Sequence, residues 1–92
     1  MLPGFNSDQP YRGRIFHVQT EDLGQSQPQV ITHLFLDGMV VSSARSDYGD
    51  RLETPGLSVR VRQLMQRQHE GMLQRLRRGD WDELIRTRCG PG

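Results

Sequence analysis

The sequence predicts an α+β fold: a three-stranded antiparallel meander, one long C-terminal helix packed across it, and a short terminal helix. Two observations carry this. In VITHLFLDGMVVSS, residues 30–43, two apolar runs rich in β-branched residues flank Asp37-Gly38. That dipeptide suits a two-residue type I′ turn, because both central positions need φ > 0. Further on, Leu57, Val61, Leu64, Met65, Met72 and Leu76 fall within an arc of about 120° at roughly 100° per residue, the pattern of a helix buried along one stripe.

The elements follow in chain order. Residues 1–10 contain Pro3, Gly4, Pro10 and several small polar residues, and read as a flexible lead with Phe5 tucked onto the domain. A strand runs from Tyr11 to Thr20, with Ile15, Phe16 and Val18 supplying β propensity. Gly24 and Pro28 punctuate a loop over 21–28. The hairpin runs through Ala44, and the polar stretch 45–56 reads as a surface loop anchored by Tyr48 and Leu52.

The long helix is expected from an N-cap at Ser58 to Arg78, with Gly79 at the C′ position. Gln68 and Arg75 interrupt its apolar arc, which excludes a sustained coiled-coil seam. Gly71 weakens its middle by about 1 kcal/mol relative to Ala. Asp80 and Glu83 have the spacing of a capping box for a second helix, DWDELIR, whose Trp81, Leu84 and Ile85 can pack back. Residues 87–92 read as a flexible tail, so the expected domain covers 11–86.

A two-residue turn pairs Leu36 with Met39, Leu34 with Val41 and Thr32 with Ser43, and these six share one face. Ile31, His33, Phe35, Val40, Ser42 and Ala44 share the other, joined from the first strand by Ile15 and His17. An antiparallel sheet covered on one side normally shows a polar open face. Here both faces carry apolar groups, while one long helix covers only one. The second face, Ile15, His17, Ile31, His33, Phe35 and Val40, is therefore the candidate interaction surface. Its cover is expected to be another chain, with the terminal helix as the competing possibility.

Composition narrows the function classes. The chain has 92 residues, 34% of them hydrophobic, and a mean hydropathy of -0.69, so the core is thin and a partner subunit is a natural source of stability. A net charge of +1 argues against a strongly basic nucleic-acid binder. All 12 cationic residues are Arg, for which a GC-rich coding sequence is the simpler explanation. No signal peptide, membrane-spanning run or disulfide framework is visible, and a cytoplasmic location is the default expectation.

Chemistry-bearing residues are few. His17 and His33 are candidate cross-strand neighbours that would need a third ligand, such as His69 or Cys89, to hold a metal. Histidines packed beside aromatics are the simpler reading, so no metal and no cofactor is assigned. Glu21 and Asp22 are adjacent carboxylates expected on a polar loop, solvated rather than catalytic. No nucleophile elbow, phosphate loop or dinucleotide fingerprint is present, and Cys89 reads as an incidental thiol. The chain is read as non-enzymatic.

Charge is unevenly distributed. Residues 58–78 carry six arginines against Glu70 alone, a balance of +5, whereas residues 1–57 balance at −3. Arg60, Arg67 and Arg78 project close together at helical spacing, forming a candidate ridge for anions or an acidic partner. An ordinary solvated helix face is the competing explanation.

The stretches FHVQTED (16–22), ITHLF followed by Asp37-Gly38, Ser43, Tyr48 and LMQRQHEGMLQRLRRGDWDE together resemble a family of small proteins of unassigned function from delta-proteobacteria and their relatives. The resemblance spans roughly residues 11–84 and implies a complete structural unit, with no catalytic or ligand residues to carry over. The expected function is a small protein-interaction module, homodimeric through the second sheet face or an exposed strand edge. The alternative is a nucleic-acid-associated regulator using the arginine ridge.

Overall fold

The computed structural model describes residues 1–89 and is an α+β assembly with a four-stranded antiparallel sheet rather than a three-stranded one. Strands β1 (Phe5–Tyr11), β2 (Arg14–Asp22), β3 (Gln29–Leu36) and β4 (Met39–Asp47) pair in sequence order. A 3-10 turn, Gly49–Arg51, leads to helix α1 (Leu57–Arg78) and then to α2 (Asp82–Cys89).

The additional strand is β1, which occupies most of the expected flexible lead. Its sequence FNSDQPY has little β propensity, yet Phe5, Ser7, Gln9 and Tyr11 alternate toward the helix side. Arg12 (φ 49°) and Gly13 (φ 78°) turn the chain from β1 into β2 by the same left-handed pair as Asp37 (φ 51°) and Gly38 (φ 79°). Pro10, which cannot donate to a ladder, is accommodated because β1 is an edge strand.

The central hairpin closes as expected at Leu36–Met39, and then departs. Phe35 pairs with Val40 but Leu34 pairs with Ser42, so Val41 is the extra residue of a β-bulge. Past the bulge every side chain of β4 changes face. Ser42 and Ala44, expected on the second face, turn toward the helix, and Ser43 and Arg45 take their places. β4 also continues to Asp47, beyond the expected end at Ala44.

Helix α1 lies across one face of the sheet. Phe16, Val18, Leu34, Leu36, Met72, Leu73 and Leu76 form one buried cluster, which Trp81, just before the second helix, and Ile85, within it, complete. Val30, Tyr48, Val61 and Met65 form another, with Leu52 packed against it. Gly56 (φ 70°), not Ser58, is the N-cap of α1. The C-terminus closes as a Schellman motif: Gly79 N–H donates to Leu76 O and Asp80 N–H to Arg75 O.

The expected capping box does not form. The Asp80 carboxylate accepts two hydrogen bonds from Arg78, both 2.8 Å, and one from Arg75 at 3.0 Å. The Arg75 guanidinium also lies 4.6 Å from the centre of the Trp81 ring, fixing the corner where α2 turns back. Residues 87–89, read as part of a tail, extend α2; the rest of that tail lies outside the described residues, as does the Cys89 side chain.

Candidate functional site

Two features organise the function-bearing chemistry, one on each side of the sheet. On the helix side, a polar belt separates the two apolar clusters. Thr20 and Thr32 face each other across β2 and β3 with hydroxyls 2.7 Å apart, and both are fully buried. Above them α1 presents Gln68 and His69. Gln68 Nε2 donates to Val30 O, Thr32 Oγ1 and Ala44 O, while Ser46 donates to Gln68 Oε1. His69 Nδ1 lies 2.9 Å from Thr20 Oγ1 and its Nε2 lies 2.8 Å from Ser7 Oγ. Two adjacent helix residues thus reach all four strands.

Leaving no buried hydroxyl proton without an acceptor favours one direction for this chain, with the two amide protons of Gln68 shared among its three acceptors. Thr32 Oγ1 accepts from Gln68, so its own proton goes to Thr20 Oγ1, its remaining partner among the described contacts. Thr20 then donates to His69 Nδ1, and neutral His69 donates from Nε2 to Ser7. Ser7 is an acceptor here, the opposite of a hydroxyl activated by a base. Burial lowers the His69 pKa, which Glu70 opposes and His17 reinforces, so the imidazole stays neutral. His69 belongs to the core and is remote in role from the other two histidines.

Glu21 and Asp22, read as solvated loop carboxylates, both lie in β2 and point to opposite faces. Asp22 is buried and accepts from Tyr48 Oη (2.5 Å), Gly24 N (3.0 Å) and Leu2 N (3.1 Å). Burial raises its pKa, but the three hydrogen bonds outweigh that, and the net shift is downward. The same burial, with Asp22 as acceptor, pushes Tyr48 up to about 12. A cleft of about 50 Å³ adjoins this pair, between the N-terminal residues and Val61 of α1. Asp22 clamps the N-terminus, the 23–28 loop and the segment after β4.

The second feature is the open sheet face. All six residues of the candidate surface lie on it. Asp8, His17, Phe35 and Val40 form one cross-strand row, and Asn6, Gln19, His33 and Ser43 the next. Glu21, Ile31 and Arg45 form a third, and Ile15 lies beside Pro10 at the turn end. Ile15 is 63% exposed and Val40 45%, while His17, Ile31, His33 and Phe35 are half-buried by one another. Helix α2 does not cover this face, since Trp81 and Ile85 join the cluster on the opposite side.

His17 and His33 are not directly opposed. His17 pairs with Phe35 and His33 with Gln19, placing the Phe35 ring against both imidazoles at 6.3 and 5.6 Å. His17 Nδ1 meets Asp8 Oδ1 at 2.9 Å, and His33 Nδ1 meets Ser43 Oγ at 2.7 Å. Among the described residues, no group of three His, Cys, Asp or Glu is placed to hold a metal ion.

The arginine ridge is exposed but not uniform. Arg60 and Arg67 face solvent, while Arg78 is committed to Asp80, which raises the guanidinium pKa and lowers that of the carboxyl. No described helix is long and apolar enough to cross a membrane. Comparison with protein families, with curated proteins and with solved structures finds no match to the chain.

Proposed function

We propose that the protein is a small non-enzymatic interaction module that pairs with a second copy of itself through the open sheet face. The observation that carries this reading is that both helices pack on one side, leaving Ile15, Ile31, Phe35 and Val40 without cover among the described residues. Four strands about 4.8 Å apart and eight residues at about 3.4 Å each present roughly 500 Å² in projection. Two such faces, with side-chain relief added, approach the roughly 1,200 Å² at which specific interfaces begin.

Charge supports a second copy as the occupant. Glu21 and Arg45 flank Ile31 in one row, and among the described residues each has only a glutamine as hydrogen-bond partner. A twofold axis parallel to the strands turns this row end for end. With the axis between β2 and β3, the Phe35 ring of each copy lies over His17 of its mate, and Glu21 of one copy comes within one strand spacing of Arg45 of the other, a gap their long side chains span. The strand edges are poorer alternatives, because Pro10 interrupts the donors of β1 and the Val41 bulge distorts β4. The arginine ridge supports phosphate binding less well, with Arg78 already held by Asp80. Sedimentation equilibrium of the wild type beside Phe35→Glu tests the proposal.

A further inference from the structure

We infer that His33 makes this self-association sensitive to pH, the dimer holding at neutral pH and separating as His33 takes up a proton. The inference rests on the reading of the open face as the dimer surface.

His33 occupies the interior of that face, on β3 between Gln19 and Ser43. Its ring packs on Phe35, and its Nδ1 shares a hydrogen bond with the neutral Ser43 hydroxyl. His17, the other imidazole on the face, has a carboxylate beside it. Asp8 lies 2.9 Å away and balances a proton gained there.

The charged groups around His33 give it no such balance. On β2, Gln19 is directly opposite and His17 and Glu21 are diagonal; on β4, Ser43 is opposite and Arg45 diagonal. Glu21 and Arg45 have opposite signs and flank His33 through the same row. From β1 the nearest groups are neutral Asn6 and, one row away, Asp8, which is engaged by His17. Helices α1 and α2 pack on the opposite side of the sheet.

In the separated chain water solvates an imidazolium at this position. A second sheet packed about 10 Å away excludes that water, so the charged form is disfavoured in the dimer. Histidine is the side chain that ordinarily changes charge between about pH 5 and 8, so that is the range to scan. Twofold symmetry doubles the effect. Dissociation takes up two protons, and Kd rises by up to about 100-fold per pH unit on the acid limb.

The test is sedimentation equilibrium of the full chain from about pH 8 to about pH 5, with circular dichroism on the same samples. The expected result is a wild-type Kd that climbs at least about tenfold on acidification with the helical signal intact. Read as the slope of Kd against pH rather than as Kd itself, His33→Gln flattens the dependence, while His17→Gln retains it. If His33→Gln does not fold, His33→Asn takes its place. A dimer with constant Kd across the range overturns the inference, as does an unchanged slope in the folded His33 variant. So does dissociation in step with loss of helix, which would point to the core. A wild-type chain that is monomeric at every pH overturns the dimer reading itself, and this inference with it.

Discussion

His69 on α1 and Thr20 on β2 are 49 residues apart in sequence, yet Nδ1 and Oγ1 meet at 2.9 Å in the buried middle of the fold. That contact is the centre of the polar belt, and it fixes how the helix registers on the sheet. Apolar side chains on either side of the belt tolerate small slips; hydrogen-bonding partners do not, because a misplaced donor is left buried and unpaired.

Replacing His69 with Leu should therefore cost more than its volume change suggests. Ser7 and Thr20 each lose a partner, and about 2–3 kcal/mol of stability should go, measured by urea unfolding. Nitrogen-resolved NMR of the wild type should show the imidazole protonated at Nε2. A hydrogen on Nδ1 would reverse the proposed direction of the chain.

Gln68→Leu provides an independent check from the other end of the belt. The substitution removes donors to Val30 O, Thr32 Oγ1 and Ala44 O and strands the Ser46 hydroxyl. A loss of about 2 kcal/mol is expected, against nearly none for Gln74→Leu on the exposed side of the same helix.

Legibility in the sequence followed the strength of local signals. Asp37-Gly38 specified its turn, and the apolar stripe and Gly79 specified α1 and its end, because these depend on neighbouring residues alone. β1 was not legible: Asn6, Ser7, Asp8 and Pro10 have no intrinsic preference for a strand, and only pairing with β2 holds them there. Arg12-Gly13 was its one signal, weaker than Asp-Gly because Arg tolerates φ > 0 less readily. The bulge at Val41 has no local signal, so strict alternation puts half of β4 on the wrong face. Gln68 appeared as an interruption of the apolar arc, and its meaning required knowing that Thr32 and Ala44 O lie beneath it. The open face was legible because two apolar faces competed for one helix.

Acidification should destabilise the monomer in two stages. The His69 pKa is depressed on folding, so the unfolded chain binds the extra proton; stability present above about pH 6.5 is lost as the pH falls below it. Asp22 is also depressed, and its contribution, present above about pH 4, is lost at lower pH. Thermal melting across this range should show both stages, with His69→Gln removing the first and Asp22→Asn the second.

Gly71→Ala should stabilise the protein. Gly71 is in the middle of α1, and a Cβ there meets nothing within 4 Å. A gain of about 0.5–1 kcal/mol in urea unfolding is expected from helix propensity and the smaller entropy of the unfolded chain. Gly38→Ala, at φ 79°, should lose a similar amount despite equally open space, because its cost is backbone strain.

The central claim is that the uncovered sheet face is where the chain meets its own copy. Sedimentation equilibrium at micromolar concentration near neutral pH tests it most directly. The account predicts a wild-type dimer, and a Phe35→Glu variant that is monomeric with its helical signal and urea midpoint nearly unchanged. A strictly monomeric wild type, or a folded Phe35→Glu variant that dimerises as tightly as wild type, would contradict it.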